Sequence, residues 1–157
     1  MNSAPVVQSL KAKENLSLWF MYSGSPQRTK GAVQRFEQLD TTRPRYVQRF
    51  RDRNSKLVND IQRGLDGAPN LLVASIERSG KLLGDLARNM GQGPPLPNLF
   101  QTALGLAQAS AKPSGAIGGD CIIVAGKDPN AGDKIRALGA AAGFEMLNLK
   151  PVFGLQK

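Results

Sequence analysis

The chain has 157 residues, of which 41% are hydrophobic and 21% are charged, a balance typical of one globular domain rather than a disordered segment. Its 21 Lys and Arg outnumber its 12 Asp and Glu, and the resulting charge of +9 favours anionic partners. The absence of histidine excludes His-based triads and His metal sites, and the single cysteine, Cys121, excludes a disulfide framework and a Cys-rich zinc site.

The first predicted element is a strand. Residues 16–22 are apolar and aromatic and end at Ser23-Gly24-Ser25-Pro26, a pattern typical of a buried strand that enters a tight loop. We interpret residues 1–15 as an N-terminal extension and residues 16–157 as one domain. The extension has no basic region followed by an apolar stretch, and no apolar run in the chain approaches the ~20 residues of a membrane span. We therefore expect no membrane contact and a cytoplasmic location.

Four helices are predicted next. The first covers about residues 29–39 and has Val33 and Phe36 on its inner face. The second helix is predicted to start near Pro44, because residues 40–42 offer a capping oxygen just before this proline. Apolar residues at three-to-four spacing then continue the pattern, with predicted helices over residues 45–65, 72–90 and 99–107.

The C-terminal part predicts two strands around one helix. Residues 121–125 form a continuous apolar run, which predicts a strand buried on both faces with Cys121 as a small core residue. A helix begins at Asp128-Pro129 and ends at Gly143, and residues 144–149 form a last strand. This order predicts an α+β fold in which helices cover one face of a small, mostly antiparallel sheet.

Basic residues are concentrated in one stretch. Residues 28–56 contain nine Lys and Arg and three Asp and Glu, which is +6 of the total +9. Such a stretch can be a solvated helix face, can bind phosphorylated small molecules, or can neutralise the phosphates of a nucleic acid. Phe36, Tyr46 and Phe50 have the spacing of core residues, so no stacking platform for single strands is evident, and nucleic acid is the least favoured of these three interpretations.

Glycines cluster between Lys112 and Cys121, in the sequence Lys-Pro-Ser-Gly-Ala-Ile-Gly-Gly-Asp-Cys. Closely spaced glycines allow several backbone N–H groups to converge on an anion. The spacing is that of neither a dinucleotide-binding fingerprint nor a Walker loop. The pattern therefore indicates either a loop that holds an anion or a tight connection between a helix and a strand.

The sequence Ser-Gly-Ala-x-Gly-Gly-Asp-Cys resembles the third signature motif of the GHMP kinases. Its Asp-Cys ending is most similar to the phosphomevalonate kinase branch, whose usual form is Ser-Gly-Ala-Gly-Gly-Gly-Asp-Cys, and seven of these eight positions match. A second block, residues 19–26, is similar to that family's strand ending in Trp-Thr-Gly-x-Pro. The resemblance covers nearly the whole chain. It implies that residues 16–157 form the ferredoxin-like C-terminal lobe of such a kinase, with added helices.

This resemblance also implies a reaction and a site. The family transfers the γ-phosphoryl group of ATP, with Mg²⁺, to 5-phosphomevalonate, and the product is 5-diphosphomevalonate for isoprenoid synthesis. The resemblance places the glycine loop beside the phosphates of this small-molecule substrate and gives Asp120 the role of ordering the loop. The residues that it implies in phosphate or substrate binding are Ser25, Arg28, Thr29, Ser114, Gly115, Ala116, Gly118 and Gly119.

Three features depart from the family pattern. The ATP-cradling segment, the catalytic aspartate and the substrate-binding lysine of the family's N-terminal lobe have no counterpart in these residues. Ile117 replaces a glycine, and a β-branched residue disfavours φ > 0. Small residues after the Gly-x-Pro turn are replaced by Gln27-Arg28-Thr29, where Arg28 can pair with a phosphate or block the pocket.

Two functions are compatible with these observations. The first is a phosphomevalonate-kinase-like lobe with no catalytic residue and no metal ligand of its own, inactive and binding neither ATP nor Mg²⁺ alone. It would be a fragment, one half of a split enzyme or a degenerate relative, and would need an N-terminal lobe or self-association. The second is a non-catalytic domain of the same fold that binds an anion, a partner chain or nucleic acid through its basic helices.

Overall fold

A computed structural model of the chain describes residues 17–24, 29–114 and 121–148, without the side chains of Thr29 and Lys30. Within these ranges no helix is long and apolar enough to cross a membrane. A short 3₁₀ turn precedes the last helix. In chain order the strands and helices are β1 (Ser17–Tyr22), α1 (Thr29–Thr42), α2 (Pro44–Leu65), α3 (Pro69–Asn89), α4 (Asn98–Leu106), β2 (Ala109–Pro113), β3 (Cys121–Gly126), α5 (Gly132–Ala141) and β4 (Glu145–Leu147).

The four strands form one antiparallel sheet in the order β2-β3-β1-β4. The central strand β3 pairs with β1 over its full length, from Ser17↔Gly126 to Tyr22↔Cys121. The helices α1 to α4 connect β1 to β2, and α5 connects β3 to β4. This is the strand order of a ferredoxin-like sheet, and the α+β prediction is confirmed.

Strand β2 corrects the sequence analysis. Residues 109–113 pair with β3 from Ala109↔Gly126 to Pro113↔Ile122, although the sequence predicted no strand between the fourth helix and residue 121. The glycine-rich segment therefore connects two neighbouring strands of the sheet, and the predicted connection between a helix and a strand is wrong. The physical reason is that β2 is held by its partner strand and by α3, whose close approach requires small residues.

Gly80 shows how close that approach is. A Cβ atom built on Gly80 of α3 would lie 2.6 Å from the carbonyl oxygen of Ala111 in β2, so only a glycine fits there without a shift. The hydroxyl of buried Ser110 also donates to the Val73 carbonyl of α3 at 2.6 Å. These contacts fix the helix against the strand that leads into the glycine-rich segment.

Helices contact both faces of the sheet, whereas the sequence predicted that they cover only one face. On one face Met21, Ile122 and Val124 pack with residues of α4 and α5. On the other face Ala125 packs with Leu72 and its neighbours at the start of α3. Strand β3 is accordingly well buried in its second half, but Cys121 and Ile123 are only half-buried, so the prediction of Cys121 as a core residue is wrong.

The start of the helical region also differs from its prediction. Helix α1 continues to Thr42, and the hydroxyls of Thr41 and Thr42 donate to main-chain carbonyls of the same helix at 3.0 and 2.9 Å rather than capping α2. No side chain caps α2, and Asp40 forms an ion pair with Arg51 at 2.7 Å instead. Val33, expected inside, is 48% exposed.

Candidate functional site at the end of β1 and the β2–β3 connection

The two segments that carry the family resemblance leave the sheet at the same edge. The last residue of β1, Tyr22, pairs with the first residue of β3, Cys121. Next to this pair, the N–H of Ser114 donates to the Cys121 carbonyl at 2.9 Å and closes the base of the β2–β3 connection. The register of the sheet therefore places the end of β1 next to Ser114 and Cys121, the described residues that flank the glycine-rich segment.

The described residues on the β1 side are few. Gly24 has φ +71°, a conformation that favours glycine, and α1 begins at Thr29. The backbone of Thr29 is thus placed at a helix start, but its side chain is not described. Ser25 and Arg28 lie outside the described residues, as do Gly115, Ala116, Ile117, Gly118, Gly119 and Asp120.

Ser114 is the described member of the predicted phosphate loop. Its side chain is exposed at the last position before the connection. Because its N–H already bonds to the Cys121 carbonyl, this N–H is not available for an anion. Ser114 can therefore contribute its hydroxyl, and converging N–H groups would have to come from later residues of the loop.

Lys112 is a candidate that the sequence analysis did not select. It is half-buried in β2, paired in register with Ile123, and two residues before Ser114. Its Nζ donates to the Pro113 carbonyl at 2.7 Å, and burial lowers the pKa of its ammonium group. Among the ion pairs of the described residues none involves Lys112. Within the described ranges, the ammonium group of this lysine therefore has no carboxylate partner at the base of the loop.

The sequence contained a signal for Lys112. A lysine directly before a glycine-rich segment is a candidate counter-ion for whatever anion the segment holds. The sequence of residues 112–121 predicts a loop that includes Lys112, and a lysine in a loop is ordinarily solvated. Only the strand assignment shows that this side chain is partly withdrawn from water.

No metal-binding cluster of the described residues lies at this end of the sheet, and the cavity beside β2 lies elsewhere. In the parts of the chain that the structure describes, no group of three or more Cys, Asp or Glu side chains could hold a metal ion. A cavity of about 570 Å³ follows the outer side of β2, but Gln108 and Lys127 at its lining belong to the opposite end of the strand. The candidate site is therefore defined by strand register and by charge rather than by an enclosed cavity.

Comparisons with known proteins agree on the fold. No family model matches the sequence, and no curated protein matches it either. Among solved structures, the fold is similar to a Lin0012 protein from Listeria innocua, with TM-score 0.78 and 21% identity over 89% of this chain and 40% of that one. It is also similar to Streptococcus pneumoniae phosphomevalonate kinase in complex with phosphomevalonate and AMPPNP. The TM-score is 0.72 and the identity is 24%, over 89% of this chain and 40% of that one.

A mevalonate kinase has the same fold as well. The L. major enzyme in complex with R-mevalonate matches with TM-score 0.70 and 19% identity, over 87% of this chain and 41% of that one. The chain therefore has the fold of part of the GHMP kinases, matching their C-terminal domain. It spans about 40% of the length of the solved structures that it matches.

Proposed function

We propose that this chain is the C-terminal lobe of a phosphomevalonate-kinase-like phosphotransferase and supplies the phosphate-binding side of its site. The observation that carries the proposal is the common sheet edge at which β1 ends beside the base of the β2–β3 connection. The described ends of two segments identified separately by their motifs are neighbours there. A similar fold has been solved with phosphomevalonate and a nucleotide analogue, which supports this ligand class.

The residues at this edge have distinct parts in the proposal. The hydroxyl of Ser114 and the ammonium group of Lys112 contact a phosphate oxygen from the β2 side. Gly115, Ala116, Gly118 and Gly119 add backbone N–H donors, and Asp120 orders the loop. From the β1 side, Ser25, Arg28 and Thr29 complete the site. Arginine suits this position because its guanidinium group can bond two phosphate oxygens at once.

Phosphoryl transfer itself needs more than these residues. The reaction depends on cations and metal ions placed around the transferred group, and the described residues offer no acidic cluster that holds a metal. We propose that ATP and Mg²⁺ are bound by a second lobe of the same or another polypeptide. In that assembly this chain binds the phosphorylated substrate and excludes water from one side of it.

Calorimetric titration of the purified chain tests the substrate class. We expect phosphomevalonate to bind more tightly than mevalonate, because the proposed contacts are to the phosphate group. Inorganic phosphate should compete with phosphomevalonate. Equal affinity for mevalonate and phosphomevalonate would refute the proposed phosphate site.

An ADP-release assay tests whether a second lobe, rather than this chain, binds ATP and Mg²⁺. With Mg²⁺, ATP and phosphomevalonate, the chain alone should release ADP no faster than a preparation from cells that lack it. Turnover clearly above that control would show that the nucleotide-binding residues are present within this chain. The proposal that a second lobe supplies them would then be wrong.

The alternative is a non-catalytic binding domain with the same fold. The observation that favours it is the group of exposed cations on α2 that no described ion pair neutralises, which includes Arg45, Arg49, Arg53 and Lys56. Such a surface binds an anion, an acidic partner or a nucleic acid without any catalytic group. Strong, salt-dependent binding of an oligonucleotide together with no binding of phosphomevalonate would support this alternative.

A further inference from the structure

A groove separates the exposed sides of α2 and α3. The two helices lie antiparallel: a Cβ built on Gly64 near the end of α2 would be 2.7 Å from Leu72 Cα in α3, and at the other end Arg43 Nη1 donates to Asn89 Oδ1 at 3.0 Å. Between these contacts lies a cavity of about 380 Å³. Its lining consists of Arg53, Lys56, Leu57 and Asp60 from α2 and Arg78, Lys81, Leu82 and Asp85 from α3.

Both walls of this α2–α3 groove have the same residue spacing. On each helix the lining residues fall at i, i+3, i+4 and i+7, which is the pattern of a single helix face. The third position is a leucine on both walls, Leu57 and Leu82, so an apolar floor lies between charged flanks. Two parallel or antiparallel helices with such faces form the kind of groove into which a third amphipathic helix packs.

Some charged residues of the groove have an ion-pair partner, and others have none among the described residues. Its two carboxylates and one of its lysines are engaged on their own helices, in the pairs Arg63–Asp60 at 3.6 Å, Lys81–Glu77 at 2.6 Å and Arg88–Asp85. Arg53, Lys56 and Arg78 take part in no ion pair among the described residues. These three exposed cations come from both walls and favour an anionic occupant.

We infer that the α2–α3 groove binds an acidic amphipathic helix of a partner protein. The apolar ridge of that helix packs on Leu57 and Leu82, and its carboxylates pair with Arg53, Lys56 and Arg78. A nucleic acid fits the lining less well, because the lining contains no aromatic side chain for base stacking and its two leucines offer a phosphate backbone no favourable contact. This inference does not depend on the function proposed for the sheet edge.

A designed peptide tests the groove directly. The probe is a fluorescein-labelled helix of about 18 residues, five turns, with leucine at every third or fourth position and glutamate on the flanks. A second peptide has the same composition in an order that breaks the periodicity. By fluorescence anisotropy we expect the patterned peptide to bind at least about tenfold more tightly than the scrambled one.

Two charge-reversal variants separate a groove from a general charge effect. Arg53→Glu with Arg78→Glu alters both walls, and Lys134→Glu with Arg136→Glu makes the same change of charge at exposed positions of α5. We expect the first pair to weaken peptide binding about tenfold or more and the second to change it less than about twofold. All four side chains are exposed, and circular dichroism melts check that the variants remain folded.

Several results would overturn the inference. One is no binding of the patterned peptide, and another is equal binding of the scrambled peptide. Equal loss in the two charge-reversal variants would show that net charge alone attracts the probe. Tighter binding of a labelled oligothymidylate, lost in the Arg53 and Arg78 variant, would assign the surface to nucleic acid instead.

Discussion

The charge of Lys112 is unfavourable in the fold without a ligand but favourable for binding an anion. Its position in β2 withdraws the ammonium group partly from water, and its described hydrogen-bond acceptor is a neutral carbonyl oxygen, that of Pro113. A charge in such a position costs free energy unless an anion compensates it. An anion held beside Ser114 would provide that compensation, so the same lysine would weaken the empty fold and strengthen the liganded one.

The lowered pKa of Lys112 gives a prediction for stability against pH. The folded state releases this proton more readily than the unfolded state, whose lysine pKa is about 10.4, so stability should rise as pH increases through the folded pKa toward that value. Lys112→Met should therefore raise Tm at neutral pH, by about 2 °C, and this advantage should shrink near pH ~10.5. Thermal melts at both pH values measure this.

The exposed Lys127 provides the control for this experiment. Lys127→Met removes a lysine from the end of the same hairpin without removing a half-buried charge, so its Tm should change little at either pH. If Lys112→Met instead lowers Tm at neutral pH, the ammonium group has a stabilising partner. The account of an uncompensated charge would then be wrong.

At the scale of elements, the contact between α3 and β2 fixes the strand that precedes the glycine-rich segment. Gly80→Ala would place a Cβ atom 2.6 Å from the Ala111 carbonyl oxygen, so the helix or the strand must shift. We expect a loss of about 1–3 kcal/mol in the free energy of unfolding. Urea denaturation of the variant measures this loss.

Gly84 is a matched control on the same helix. A Cβ atom there would meet only Pro95 Cδ, at 4.0 Å, which is ordinary contact. Gly84→Ala should therefore leave stability unchanged or raise it by up to about 1 kcal/mol through helix propensity. Similar losses in both variants would mean that the close approach of α3 to β2 is not what matters.

The elements that the sequence predicted well are those with a strong periodic pattern. Helices α2 and α3 keep apolar residues at three-to-four spacing over many turns, so local sequence alone indicates their length. Strand β2 has the sequence Ala-Ser-Ala-Lys-Pro, which has no β-branched or aromatic residue. Its strand conformation comes from pairing with β3 and packing under α3, both of which are contacts between residues far apart in sequence.

The candidate site also has one part that the local sequence predicts and another that depends on contacts between distant residues. The motifs selected the two segments, because their glycines, serines and charged residues have a chemical pattern of their own. Their pairing could be inferred from the sequence only through the family resemblance, since it depends on the register Tyr22↔Cys121 across the sheet. Lys112 was missed because its burial depends on a strand that the local sequence does not indicate.

At the scale of the whole molecule, α4 carries an uncovered apolar stripe. Leu99 and Leu106 are 85% and 81% exposed, and seven residues apart they lie on the same side of the helix. Two large apolar side chains at such exposure suit a surface that a second lobe or a second copy covers, as proposed for the assembly.

Sedimentation at several concentrations tests this stripe. The chain should self-associate as concentration rises, and Leu99→Gln with Leu106→Gln should shift it toward the monomer. Because both leucines are exposed, Tm should change by no more than about 2 °C. A chain that stays strictly monomeric at the highest concentration would contradict a role of α4 in self-association.

The central claim is that the end of β1 and the β2–β3 connection hold a phosphate group together. Backbone amide NMR shifts during titration with phosphate, and then with phosphomevalonate, test it most directly. We expect shifts in residues 114–120 and also at Ser23 and Gly24. Arg28→Ala should weaken the binding, and Ile117→Gly should strengthen it or leave it unchanged. If no amide between Ser114 and Asp120 moves, the segment only connects two strands and the proposed site is wrong.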